Sequence, residues 1–154
     1  AGVAVTFRPV PPFSMRVLSN GATATTRSSV GPRRPFAARV VMIEETPRVI
    51  AALRENAEML QNPLEIEIIR ADALQYLAST KAKFDLIFLD PPYKKGWITR
   101  LEPLLPGALN EDAAIYVEAE HQIESLGDWR AVRHGRAGEV HYQLLRRDTG
   151  GKTA

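Results

Sequence analysis

The sequence predicts an α/β fold built on a mostly parallel sheet with a C-terminal antiparallel hairpin. From about Ala38 onward, short β-rich runs alternate with stretches of helical spacing, which demands crossover connections and sets most strands parallel. The run Leu86-Ile87-Phe88-Leu89 is continuously apolar and bounded by turn formers, the pattern of a strand buried on both faces of a parallel sheet. Near the C-terminus, residues 129–134 and 140–146 are two β-rich runs joined by a short polar link, which predicts a hairpin.

Each element follows in order. Arg39-Val40-Val41-Met42-Ile43 predicts a strand that ends at Glu44-Glu45. Thr46 then offers an N-cap with Pro47 at the first helical position, opening a helix to about Gln61 in which Val49, Ile50, Leu53, Ala57 and Leu60 keep helical spacing. Residues 64–69 alternate as a second strand, with Asp72-Ala73 just beyond its end. Residues 74–79 predict a short helix, 84–89 a strand, 97–105 a helix and 114–117 a strand. Residues 1–37 keep no sustained period and are expected to be irregular or partly disordered, with only residues 3–7 reading as a strand. The expected division is an atypical segment 1–37, a domain 38–148 and a tail 149–154.

Composition narrows the function. At 154 residues, with 45% apolar and 25% charged residues, the chain suits one globular domain with a real core. No apolar run approaches the roughly 20 residues that cross a bilayer and no signal peptide stands out, so a cytoplasmic protein with no membrane partner is expected. The absence of cysteine excludes disulfides and thiolate metal sites. Net charge is +2 with a pI near 9.1, and arginines cluster at Arg33-Arg34, 130–136 and 146–147, either as a solvated face or as a phosphate-facing one. His121, His134 and His141 suggest neither a triad nor a metal site, and Trp97 and Trp129 read as core or rim residues.

In an open parallel sheet, ligands bind beyond the carboxyl ends of the strands, and three such ends here carry acids: Glu44, Asp72 and Asp90. Such a carboxylate can accept from a ribose diol or an adenine amino group; it can also do no more than cap the next helix. Asp90-Pro91-Pro92-Tyr93 is sharper. The prolines fix the backbone and remove donors, so Asp90 and the carbonyl after it form a rigid acceptor pair able to hold an exocyclic amino group. Tyr93 offers a flat face for a base. The plain alternative is a tight turn with Tyr93 packed at the rim.

The DPPY sequence resembles the [DNS]-PP-[YFW] motif of amino-group methyltransferases that use S-adenosyl-L-methionine. The order RVVMIEE, RENAEML, IIRADALQYL, FDLIFLDPPYKKG, AAIYVEAE and GEVHYQLLRR resembles the RsmD family over residues 38–147. That resemblance implies a Rossmann-like class I methyltransferase fold and methylation of a guanine N2 amino group in small-subunit ribosomal RNA, free or in an assembling particle, with no metal. It implies that Glu44 binds the cofactor ribose, that Asp72 with Ala73 contacts its adenine, and that Asp90, Pro91 and Pro92 hold the target amine, with Asp90 also counted among the cofactor-binding residues. Tyr93 would stack on the base, and Lys94, Lys95 and Arg100 would face RNA phosphates. Two alternatives remain: an enzyme acting on adenine or cytosine in DNA, and a degenerate RNA-binding domain without cofactor.

The chain departs from the family at its start. A glycine-rich turn of the form D-x-F-A-G-S-G-x-x-G should precede Glu44 by about 20–30 residues and wrap the cofactor where side chains would collide. MRVLSNGATATTRSSVGPRRPFA stands there instead, with Gly21 and Gly31 alone. Read from each codon's second base, SVGPRRPFA permits A-L-G-L-D-A-L-S-R, close to the family's helix after that turn. Residues 1–37 are therefore native, frame-shifted or disordered; if they are native as written, the expectation is a domain without its first strand and glycine turn, which would leave an open sheet edge.

Overall fold

The computed structural model describes residues 14–19, 39–59, 65–92 and 96–147. The elements in chain order are β1 Ser14–Ser19, β2 Arg39–Glu44, α1 Pro47–Met59, β3 Glu65–Arg70, α2 Ala73–Ser79 and β4 Phe84–Asp90. After them come α3 Trp97–Leu101, a 3-10 turn Glu102–Leu104, α4 Leu105–Ala108, β5 Leu109–Ala119, β6 Ser125–Leu126, β7 Trp129–Ala137 and β8 Val140–Arg147. All these strands form one sheet in the order β3-β2-β1-β4-β5-β8-β7-β6.

The expected α/β sheet and C-terminal hairpin are present. β2 pairs parallel with β3, and β4 with β5, while β5, β8, β7 and β6 pair antiparallel in turn. β1 lies between β2 and β4 and runs antiparallel to both, so β2, β3, β4 and β5 all point the same way. Residues 14–19 were expected to form no element; here they are a strand. The physical reason is the gap they fill, since without them β2 and β4 would each present an unpaired backbone edge. Residues 3–7, the strand predicted in this region, lie outside the described residues, as do Arg33 and Arg34.

Other elements differ in extent as well: β7 runs on to Ala137, past the expected 134, and β6 is an added short strand. The single helix expected over 97–105 is three short turns, because Pro103 and Pro106 lack the N–H a continuing helix needs and each opens a new turn. β5 begins at Leu109, ahead of the expected 114–117. Its partner register moves from Phe84↔Leu109 to Leu86↔Ala114, so Asn110, Glu111 and Asp112 are accommodated as an irregularity. The Asn110 side-chain amide donates to Asp85 Oδ1 at 2.8 Å and pins it. That polar stretch hid the strand from an apolar-alternation reading.

The two faces of the sheet are covered unequally. On one, Val41, Ile43, Ile87, Leu89, Ile115, Val117, Leu145 and Trp129 are fully buried with Leu77, Leu101 and Leu105 from the α2–α4 side. Each such aliphatic side chain contributes about 1.5–3 kcal/mol when removed from water. Trp129 also donates its indole N–H to the Ala113 carbonyl at 3.1 Å, which settles it as a core residue. On the other face, Val40 is buried among Met42, Ile66, Leu86 and Phe88, all only partly covered.

Candidate active site

The carboxyl ends of β3, β2, β4 and β5 lie at one edge of the sheet, and an acid stands at or just past each: Asp72, Glu44, Asp90 and Glu118. The Ala71 N–H donates to the Glu44 carbonyl at 3.2 Å, which ties the chain leading to Asp72 against the end of β2. Ser14 of β1 pairs with both Glu44 and Asp90, so those two acids stand level, with β1 between their strands. The structure thus brings together the three acids expected from the sequence, and adds a fourth.

Glu44 is completely buried. Its Oε1 accepts from the backbone N–H groups of Glu45 and Thr46, both at 2.9 Å, closing the turn into α1. Its Oε2 is also buried and has no hydrogen-bond partner among the described residues. The capping alternative raised by the sequence is therefore met by one oxygen of the carboxylate alone, and the other is left over. An unpartnered buried carboxylate oxygen is costly to keep, and a pair of ribose hydroxyls is a donor set that would satisfy it.

Asp72 is the N-cap of α2, its Oδ1 accepting from the Gln75 N–H at 2.8 Å. Ala73, the first residue of that helix, is buried against the core. Asp90 is exposed at the end of β4; Pro91 after it is buried and Pro92 half-buried, so the strand tip is anchored from its C-terminal side. Tyr93, Lys94 and Lys95 lie outside the described residues. Gly96 stands at φ 60°, a left-handed conformation that suits glycine, and opens α3. Arg100 on that helix is exposed, with its guanidinium 4.8 Å from the centre of the Trp97 ring.

Side chains that the sequence did not single out complete the site. Tyr116 of β5 lies beside Phe88 of β4, ring centres 5.5 Å apart, and its hydroxyl donates to Glu118 Oε1 at 3.2 Å. Burial, followed by the negative charge of Glu118 and smaller effects from Tyr142 and Asp90, pushes the Tyr116 phenol up to about 12. The phenol therefore stays protonated and keeps donating. Tyr142 of β8 pairs with Glu118 and is partly exposed, its ring lying so close over Gly135 that a Cβ there would come within 2.2 Å. AAIYVEAE carried a signal for the Tyr116–Glu118 pair, since residues two apart on a strand share a face. Gln143 is another missed residue: buried in β8, it accepts from the Ile123 N–H at 2.6 Å and donates to the Val117 carbonyl at 3.3 Å, holding the segment after β5 against the hairpin.

The histidines form no catalytic arrangement. His134 and His141 stack across β7 and β8, ring nitrogens 3.1 Å apart. Partial desolvation, then Arg136, His134 and His121, hold His141 below the usual imidazole range. Among the described residues no cluster of three potential metal ligands occurs, and no helix is long and apolar enough to cross a membrane.

Residues 34–146 match the family model described as Conserved hypothetical protein 95. The chain belongs to this family, the RsmD family. Within it, the chain is 28% identical over 123 residues to the ribosomal RNA small subunit methyltransferase D of Escherichia coli K12, covering 77% of this chain and 62% of that protein. The chain thus spans less than two thirds of the length of that relative. A solved Escherichia coli structure superposes with a TM-score of 0.65 at 30% identity, covering 73% of this chain and 64% of the other. The fold is that of class I methyltransferases; a ribosomal protein L11 methylase of Lactobacillus delbrueckii shares it at 21% identity and a TM-score of 0.56, covering 68% of this chain and 55% of that one. S-adenosyl-L-methionine is the cofactor that membership of the RsmD family implies.

Proposed function

We propose that this chain carries the catalytic half-site of an S-adenosyl-L-methionine-dependent methyltransferase that modifies the N2 amino group of a guanine in small-subunit ribosomal RNA, in the cytoplasm. The observation that carries the reading is Glu44 Oε2, buried and unpartnered, level with Asp90 at the carboxyl ends of parallel strands. The family and the names of its relatives support the RNA substrate.

Glu44 would hold the cofactor ribose, and Asp72 with the start of α2 would stand beside its adenine. When bound, the cofactor supplies an electrophilic sulfonium methyl group. Asp90 accepts hydrogen bonds from the target amine and, with the carbonyl held by Pro91 and Pro92, orients its nitrogen lone pair. Tyr93 packs against the base, while Lys94, Lys95 and Arg100 neutralise flanking phosphates. Much of the rate then comes from placement of the reactants rather than from proton transfer by a dedicated base.

A second reading, a degenerate domain that kept the fold without the cofactor, is favoured by one observation. β1 runs opposite to its parallel neighbours, so its end nearest Glu44 and Asp90 is its start, Ser14, preceded immediately in sequence by Val10-Pro11-Pro12-Phe13, four residues without a glycine. Calorimetric titration with S-adenosyl-L-methionine separates the two. Micromolar binding that disappears in Glu44→Ala or Asp72→Ala, followed by N2-methylguanosine in digests of treated small-subunit particles, supports the enzyme. A folded chain that binds no cofactor sinks it. Sequencing the coding DNA then decides whether residues 1–37 come from a shifted frame.

A further inference from the structure

We propose that Glu118 selects guanine at this site by accepting the N1–H of the target base, beside the N2 amino group held by Asp90. The inference rests on the amino-methyltransferase reading above and names the residue that sets its base.

Position comes first. Phe88 pairs with Tyr116 in the parallel β4–β5 ladder, and Asp90 and Glu118 each lie two residues further along. Side chains two apart on a strand share a face, so the two carboxylates project from the same face of neighbouring strands rooted about 4.8 Å apart. One row at the site edge of the sheet runs from Glu44 through Ser14 to Asp90, with Glu118 next and Tyr142 across from it. The fully buried, unpartnered Oε2 of Glu44 on that row marks it as a place where a ligand completes the hydrogen bonding.

Chemistry comes second. Guanine presents two adjacent donors, N1–H and the N2 amino group. In adenine and cytosine the amino group is flanked by a ring nitrogen lone pair. An ionised carboxylate only accepts hydrogen bonds, so a second one beside Asp90 matches guanine and repels the lone pair of the other two. Glu118 is half-buried and held by Tyr116, whose ring is braced by Phe88. Tyr116 is thus a positioning residue: it aims Glu118 without touching the base.

The test titrates the full chain, saturated with the demethylated cofactor product, with guanosine, inosine, 1-methylguanosine and adenosine monophosphates, followed by nuclear magnetic resonance. Inosine keeps N1–H without the amine; 1-methylguanosine keeps the amine without N1–H. Glu118→Gln is expected to weaken guanosine and inosine monophosphates about tenfold and leave the 1-methylguanosine form unchanged, the scale of one charge-assisted hydrogen bond. Asp90→Asn should weaken guanosine and 1-methylguanosine monophosphates and spare inosine. Tyr116→Phe should follow Glu118→Gln with a smaller change. If Asp90→Asn weakens guanosine while Glu118→Gln and Tyr116→Phe bind every probe as the parent does, Glu118 is not the selector and the methyltransferase reading stands. If the parent chain binds no guanosine monophosphate, or prefers adenosine, both readings fall.

Discussion

One sheet has two faces that do different work. Ile87, Leu89, Ile115, Val117 and Leu145 are sealed under α2, α3 and α4, while Leu86, Phe88, Tyr116 and Leu144, which alternate with them on the same strands, are only half-covered. The acids and aromatics of the candidate site stand on the half-covered side: Glu44, Asp90, Glu118 and Tyr142. The period-two alternation of a strand lets one ladder hold the fold with one set of side chains and present ligand groups with the other. What differs between the faces is which elements lie over them, not the strands.

The contrast is sharpest in stability. Ile115→Ala should cost about 2–5 kcal/mol in chemical denaturation, because its methyl groups leave a cavity on the sealed face. Phe88→Ala, a larger truncation on the open face, should cost less than Ile115→Ala; a greater loss would overturn the unequal cover of the two faces. Gln143→Leu should lose about 1–3 kcal/mol, since the Ile123 N–H and the Val117 carbonyl would lose a buried partner. Hydrogen exchange at Ile123 should then rise more than in the core strands.

Glu44→Gln inverts the relation between stability and binding. The amide keeps an oxygen for the Glu45 and Thr46 N–H groups and removes an unpartnered buried carboxylate, so unfolding free energy should stay at or above that of the parent. Cofactor affinity by calorimetry should drop about tenfold or more. A loss of stability without loss of affinity would make Glu44 a cap and nothing else.

The smallest effect is a titration. Folding raises the Tyr116 phenol from 10.0 to about 12, so the protonated form is favoured in the folded chain. Its contribution is complete below pH 10 and is lost as pH rises through about 12. Ultraviolet titration, with Tyr116→Phe as reference, should show that phenolate forming near pH 12 rather than 10, and earlier in Glu118→Gln. An unchanged midpoint in that variant would break the Tyr116–Glu118 link.

Sequence reasoning reached the parallel strands readily where apolar runs met turn formers, as at Leu86-Ile87-Phe88-Leu89, and it singled out Glu44, Asp72 and Asp90 because three acids at successive strand ends are harder to explain as helix caps than any one of them. It missed Glu118 because AAIYVEAE reads as one more strand, and nothing local says which neighbour lies beside its end. Gln143 was missed for a related reason: the bonds that justify burying it come from residues 20 and 26 positions away.

By itself the sequence determined the alternation of strands and helices, the proline breaks and the rigid Asp90-Pro91-Pro92 tip, because propensity, period and ring closure act over a few residues. Tertiary structure alone decided that Glu118 joins Glu44 and Asp90 at that edge of the sheet, that one oxygen of Glu44 has no partner among the described residues, and that β1 enters between β2 and β4 reversed. Those are facts of strand pairing. A backbone ladder accepts either direction and its order is set by which edges remain open, so no stretch of sequence read alone contains it.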